Sequence, residues 1–361
     1  MELFFYIILA ILALSALVFF HELGHYTAAK LFGVKVERFS IGFGKPFYKK
    51  YWLDTEWVFA PILLGGYVKM KGQDDTNPLS KSDDPDSYTS KKPWQRIIIL
   101  LAGPMANIIL AFFIYLSIAF SGAPVSAASS YVAPIVGEVK KESPAYKAGL
   151  KKGDYILEIG NFKIKYWYEI GEAIQKSKEP IKIKLKRDNQ IKTLTLNPTI
   201  ISRKNEFNET IKRKIIGISP IFKRGEIIHF SPTEAIKYAF NETIKATMLI
   251  AKGVQKISTG EVDSKNISGA ITIFDILIQF AKEGFLYLLF ITALISVNLG
   301  VLNLLPIPAL DGGHIVFNLY EMITKKAPSE KVLYRLTLAG WAFLIGLMMF
   351  GLYNDINRIW G

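Results

Sequence analysis

The sequence predicts a multi-span α-helical membrane protein of four transmembrane helices, with a membrane-associated β-hairpin and an inserted extracytoplasmic α+β domain. Three observations predict it. Apolar residues gather in four runs, near 3–20, 97–120, 285–305 and 333–353, each close to the roughly 20 residues a helix needs to cross a bilayer. Between the second and third runs lies a long polar stretch with alternating β-branched residues, the pattern of half-buried strands. Thr55 to Met70 also reads as extended chain, interrupted by Pro61 and the Gly65-Gly66 pair. A length of 361 residues, 50% of them hydrophobic, allows two or three compact units.

The elements follow in chain order. The first run has Glu2 as its only preceding charge, so it lacks the basic start of a signal peptide, and no small-residue cleavage site follows it. It is expected to remain as a span and to run on to about Leu31, with Gly33 as its stop. Ile41 to Pro46 reads as a turn-rich connection. The apolar hairpin after it must pack on helices or line a wet cavity, because open strands are not tolerated in lipid. Gly72 to Lys92 reads as a mobile polar loop, and the second span closes a unit covering 1–121. That span carries Gly103-Pro104 and Asn107; a kink with a helix–helix hydrogen bond and a polar group facing a site are both open readings.

Residues 132–222 form the soluble unit. Ile135–Val139 reads as a strand, Ser143–Leu150 as a capped short helix, and Lys152–Ile159 as a second strand. A helix at Trp167–Gln175 precedes a hairpin of Ile181–Lys186 with Ile191–Leu196 across Asp188-Asn189. Residues 231–283 are too polar to span and read as an amphipathic, interfacial helical segment. Residues 284–361 hold the third and fourth spans.

Charge orients the chain. Lys30, Lys35, Arg38, Lys45, Lys49, Lys50, Lys69, Lys71, Lys91 and Lys92 fall between the first two spans, so this loop belongs in the cytoplasm and the 132–222 unit outside. The net charge of +13 fits a surface near anionic lipid. No basic run is interleaved with stacking aromatics in a recognised module, so nucleic acid is not an expected partner, whereas the lipid bilayer is. The absence of cysteine excludes thiol catalysis, Cys-ligated zinc and disulfides.

The chemistry gathers at His21-Glu22-Leu23-Gly24-His25, at the inner end of the first span. Helix positions four apart share a face, so both imidazoles can hold one metal ion, and Glu22 beside the first can act as general base on water. Two histidines do not complete a catalytic zinc site, and a third protein ligand is required. Ala28 and Leu31 stand where a longer motif would need Gly and His, so that ligand comes from elsewhere. The candidates close the third span, in Asn303-Leu-Leu-Pro-Ile-Pro-Ala-Leu-Asp311-Gly-Gly-His314. An Asp at membrane depth is costly unless paired or metal-bound. His314 is a rival donor, and a plain Asp-Gly-Gly turn remains a third reading.

HELGH in a first span, Gly103-Pro104 with Asn107 in a second, and NLLPIPALDGG after a third together resemble the bacterial site-2 proteases. More narrowly, the chain is similar to the regulator-of-sigma-E protease branch, and SPAYKAGLKKGDYILEIGNFKI resembles a circularly permuted PDZ domain. The resemblance implies an intramembrane zinc metalloprotease with His21, His25 and Asp311 as Zn2+ ligands and Glu22 as catalytic base. It implies substrate contacts from Asn303, and from Gly65 and Gly66 beside the cleft; Asn107 is a further candidate for the substrate site. Gly217 and Ile218 are expected to form the carboxylate-receiving loop of the PDZ-like unit. It further implies a multi-pass protein of the bacterial inner membrane, with its active site toward the cytoplasm and its PDZ domain periplasmic. The expected partners are transmembrane substrates, such as anti-sigma factors or signal-peptide remnants, and an upstream protease. A metal-handling scaffold is the competing class; Glu22 argues against it, because such a site gains nothing from a general base.

Overall fold

The computed structural model describes residues 2–73, 82–124, 131–204, 209–221, 227–261 and 268–360. The chain divides into two compact units, residues 1–117 with 236–361, and residues 118–235.

The first unit opens with α1 (Glu2–Leu31). Its end is a Schellman turn: Gly33 N–H donates to Lys30 O at 3.0 Å and Val34 N–H to Ala29 O at 2.8 Å. A four-stranded sheet follows, built from β1 (Val36–Phe43), β2 (Tyr48–Trp52), β3 (Thr55–Phe59) and β4 (Ile62–Met70) in the order β2-β3-β1-β4. This corrects the expected hairpin over Thr55–Met70. β3 and β4 do not pair with each other, because β1 lies between them, parallel to β3 and antiparallel to β4. The segment read as a turn at Ile41–Phe43 is strand, with the register shift of a bulge between Ile41 and Phe43. Burial explains the insertion. Phe39 of β1 is fully buried, stacks on Trp57 at 4.5 Å and meets Tyr26 and Phe19 of α1 edge-on, so β1 carries the face that packs on the helix.

The polar loop is more ordered than expected where it is described. In 82–92, Ser87 Oγ and Thr89 Oγ1 both donate to Ser82 O, at 2.6 and 2.8 Å, and Lys71 Nζ pairs with Asp84 and Asp86. Residues 74–81 of that loop lie outside the described residues. Helix α2 (Pro93–Ser121) follows, with Pro104 inside it.

The second unit is α+β. It opens with β5 (Ala123–Pro124); then β6 (Val136–Val139), α3 (Pro144–Lys147), β7 (Tyr155–Ile159), α4 (Trp167–Lys176), β9 (Ile181–Arg187) and β10 (Gln190–Leu196) follow the predicted order, with the unpredicted β8 (Phe162–Lys163) between β7 and α4. β11 (Thr199–Lys204), β12 (Thr210–Ile215), β13 (Ile218–Pro220) and β14 (Ile227–Ile228) complete it. Its main sheet runs β10-β9-β7-β8, and β13 pairs antiparallel with β6. Asp188 and Asn189 both take positive φ, 51° and 60°, the two-residue turn that matches strand twist. Ile156, Ile159, Ile181, Ile183 and Leu185 are fully buried between sheet and helices. Buried Asp154 is paired with Arg187 through two short hydrogen bonds, 2.6 and 2.7 Å. The β11–β12 hairpin and the β5–β14 pair were not among the predicted elements, and the β5–β14 pair joins the two ends of this unit.

The chain re-enters the first unit along α5 (Pro232–Ser258), then forms α6 (Ala270–Glu283), α7 (Phe285–Asn303), α8 (Asp311–Thr324) and α9 (Glu330–Trp360). The single interfacial segment expected over 231–283 is therefore two helices. α6 packs on the spans: Leu277 and Ala281 are buried against Ala10 of α1 and Leu288 and Ile291 of α7. Its N-terminus is capped by Asp355 of α9, which accepts from Gly269 N–H at 2.9 Å and Thr272 N–H at 3.1 Å. Four helices, Glu2–Leu31, Pro93–Ser121, Phe285–Asn303 and Glu330–Ile359, are long and apolar enough to cross a membrane, which fits a membrane-embedded protein.

Candidate metal centre

His21 and His25 stand one turn apart on α1, their rings nearly perpendicular (85°) and their Nε2 atoms 3.2 Å apart. Asp311 closes the triangle, its Oδ2 at 3.3 Å from His21 Nε2 and 3.5 Å from His25 Nε2. Among the described residues these three form the one cluster of metal-ligating side chains that converges within 4.8 Å. Tetrahedral ligands bound at about 2.0–2.1 Å lie about 3.3 Å from one another, so the spacing fits zinc held by two imidazoles and a carboxylate, with a fourth position left open.

Asp311 is delivered by the end of α7. After Asn303 the chain turns through Leu304–Leu310, with hydrogen bonds from Ile307 N–H to Leu305 O at 2.7 Å and from Leu310 N–H to Ile307 O at 2.8 Å. Asp311 then occupies the first turn of α8, where a carboxylate also meets the positive end of the helix. The two glycines after it are obligatory, because a Cβ on Gly312 would strike Leu305 O and one on Gly313 would strike Ile307 O. The segment for which a plain Asp-Gly-Gly turn was the third reading is thus the start of a helix. His314 sits one turn further along; it lines the cavity but is not in the converging set.

Helix α2 supplies the backing. His25 Nδ1 donates to Ile99 O at 2.8 Å, which leaves its Nε2 facing Asp311. Pro104 removes the N–H that would bond Leu100 O, yet His25 takes the neighbouring carbonyl. Gly103 lies directly behind that ring, and a Cβ there would coincide with the imidazole. One turn on, Asn107 is fully buried with its amide nitrogen 3.4 Å from His21 Nδ1. Asn107, expected as a substrate-site candidate, stands behind a candidate ligand and is not among the residues that line the cavity. Sequence reasoning missed the Ile99 carbonyl and the role of Gly103. A glycine one turn from a buried Asn was the available signal.

A cavity of about 570 Å³ opens at the three side chains, and Glu22, Leu100, His314, Thr337 and Trp341 contribute to its wall. Gly66 through Met70 of β4 line it as well, and β4 is an outer strand of its sheet. Gly66 lets β4 approach α1: a Cβ there would lie 2.6 Å from Ser40 O and 3.2 Å from Val18. Gly65, expected beside the cleft with Gly66, is not among the lining residues; it makes room for the Phe43 ring. Asn303 brings Nδ2 to 3.3 Å from His21 Nε2, on the metal side of that ring. Behind β4, Arg38 donates to Glu56 at 2.6 Å and contacts Tyr67 OH at 3.4 Å; Arg38 and Lys49 hold the Glu56 carboxyl below its ordinary range. In the second unit, Gly217 takes φ +81° against Ser143, its carbonyl accepts from Lys140 N–H at 2.9 Å, and Ile218 begins β13.

The sequence matches the profile described as Peptidase family M50 over residues 9–347. A Campylobacter jejuni relative named "Putative zinc metalloprotease Cj1068" is 44% identical over 97% of this chain and 93% of its own length. A Helicobacter pylori relative named "Putative zinc metalloprotease" is 38% identical over 98% of this chain and 99% of its own. "Metalloprotease MmpA" of Caulobacter vibrioides is 34% identical over 96% of this chain and 94% of its own. With nearly the whole chain matched, the protein belongs to peptidase family M50, the site-2 proteases, and is a metalloprotease.

Proposed function

We propose that this chain is an intramembrane zinc metalloprotease of the regulator-of-sigma-E protease branch, cutting peptide bonds within or near transmembrane segments of other proteins. The observation that carries this reading is the meeting of His21 and His25 of α1 with Asp311 at the start of α8, inside a unit that carries four helices long and apolar enough to cross a membrane. His21 is nineteen residues beyond Glu2, about 28 Å along the helix, hence near the inner edge of a bilayer about 30 Å thick.

The metal is zinc, named in the relatives and matched by the donor set. Bound there, it supplies a Lewis acid and a water of lowered pKa. Glu22, on the cavity wall, takes the proton of the attacking water and returns it to the leaving amine. Asn303 sits where a substrate carbonyl would arrive. A substrate helix must unwind first, and the outer edge of β4 offers backbone partners to the opened segment by strand addition. Gly66 keeps that strand close to α1. The second unit is read as a single PDZ domain, with Gly217 and Ile218 in its carboxylate-receiving loop and β13 as the strand beside it. It lies outside the cytoplasm and selects substrates by their outer portion, after an upstream protease has trimmed it. Anti-sigma factors and signal-peptide remnants are substrates of that kind.

The test is Glu22→Gln in cells and in purified form. Zinc content equal to wild type, with membrane-embedded substrate fragments accumulating, is the expected result. Unchanged cleavage would overturn the reading in favour of a metal-handling scaffold.

A further inference from the structure

We infer that Asn107 is a positioning residue for metal binding: its side-chain oxygen takes the Nδ1 proton of His21 and so holds that ring with Nε2 toward the metal. The inference rests on the reading of His21 and His25 as ligands and extends it to the residue behind them.

A histidine that gives Nε2 to a metal carries its proton on Nδ1, and that proton needs an acceptor. His25 meets the requirement through the Ile99 carbonyl at 2.8 Å. His21 Nδ1 faces the side-chain amide of Asn107 at 3.4 Å. With the amide nitrogen on that side, two donors would face each other once Nε2 is engaged. In that orientation Asn107 Oδ1 is also buried without a hydrogen-bond partner among the described residues. Rotating the amide by half a turn removes both faults, since oxygen and nitrogen have nearly the same shape and their assignment follows from the bonds they make. The oxygen then accepts from Nδ1–H.

The placement is built. Ile99, Gly103 and Asn107 are four residues apart on α2 and therefore form one stripe. That stripe presents a carbonyl to His25, an empty space for the ring, and an amide to His21. Asn107 is fixed in turn from α7, whose Ser296 Oγ donates to its backbone carbonyl at 2.7 Å, both groups being buried. Close approach of α7 is allowed by Gly300, whose added Cβ would fall 2.8 Å from Pro104 O. An asparagine in an apolar helix is costly without a partner. Here its partner is a candidate ligand, not another helix's backbone.

The experiment uses the full chain in detergent micelles with zinc alone as the probe. Zinc affinity is measured by competition with a chromophoric chelator for wild type, Asn107→Leu, Asn107→Asp and His21→Ala. The expected results are a loss of about 10–100-fold for Asn107→Leu, near-wild-type affinity for the acceptor-only Asn107→Asp, and the greatest loss for His21→Ala. Nitrogen NMR of histidine-labelled, zinc-loaded wild type should show a protonated Nδ1 on His21, a readout that needs no variant to fold. Wild-type affinity in Asn107→Leu, equal losses in the Leu and Asp variants, or a protonated Nε2 on His21 would each overturn the inference while leaving the ligand assignment in place. Full affinity in His21→Ala would overturn both.

Discussion

At the scale of single residues, the centre depends on small side chains as much as on its donors. Gly103 is the sharpest case, because a methyl group there would occupy the space of the His25 ring. Gly103→Ala is expected to lower zinc affinity at least about tenfold, the range found when groups that orient a ligand are disturbed. Gly346→Ala, at a glycine of α9 with open space around it, should leave affinity unchanged in the same chelator competition. Asp311→Ala should abolish stoichiometric zinc, since removing it leaves only two protein ligands. Much of this was legible. The HELGH spacing on an apolar helix puts His21 and His25 on one face with Glu22 beside them, and that much follows from periodicity alone. The choice between Asp311 and His314 was not legible, because either can bind zinc; in the fold α8 starts at Asp311, and among the described residues Asp311, not His314, converges with the two histidines. Asn107 stood out as a polar residue in an apolar run, yet its partner lies 86 positions away and no local pattern encodes that.

At the scale of elements, helix ends carry testable weight. Asp355 caps α6 from another helix through Gly269 and Thr272, so Asp355→Ala should cost about 1 kcal/mol. The readout is a lower melting temperature, with faster hydrogen exchange confined to the first turn of α6. At the start of α5, Glu234 accepts from Lys165 Nζ at 2.9 Å and from Ser231 Oγ at 2.8 Å, and these bonds hold its pKa at about 2, against an ordinary 4.5. A depressed carboxyl contributes stability above its unfolded value and loses it as pH falls through its folded one. Its contribution should therefore be constant from pH 5 to 8 and fade between about 4.5 and 2, and Glu234→Gln should remove that acid-side dependence from thermal melts. The spans and most of the α+β unit were legible because periodicity and capping are local. β1 was misread in part because Gly42 and Gly44 imitate a turn, and α8 was not anticipated because two prolines and two glycines precede and open the helix. α6 was merged with α5 because its apolar face is set by α1 and α7, which are remote in sequence.

At the scale of the whole molecule, topology and reaction can each be measured. The chain has no cysteine, so single substitutions report sidedness cleanly. Lys50 on β2 and Lys192 on β10 are both exposed. In intact spheroplasts an impermeant thiol reagent should label Lys192→Cys and spare Lys50→Cys, as the basic segment between the first two spans requires; the reverse would invert the orientation. The reaction is tested most directly in liposomes holding the purified protein and a transmembrane peptide, with zinc content and cleavage measured together for wild type and Glu22→Gln. One zinc per chain in both, with cleavage reduced by at least about a hundredfold in the variant, is the predicted result. Zinc-free wild-type protein that still cleaves, or a Glu22→Gln protein as active as wild type, would contradict the account.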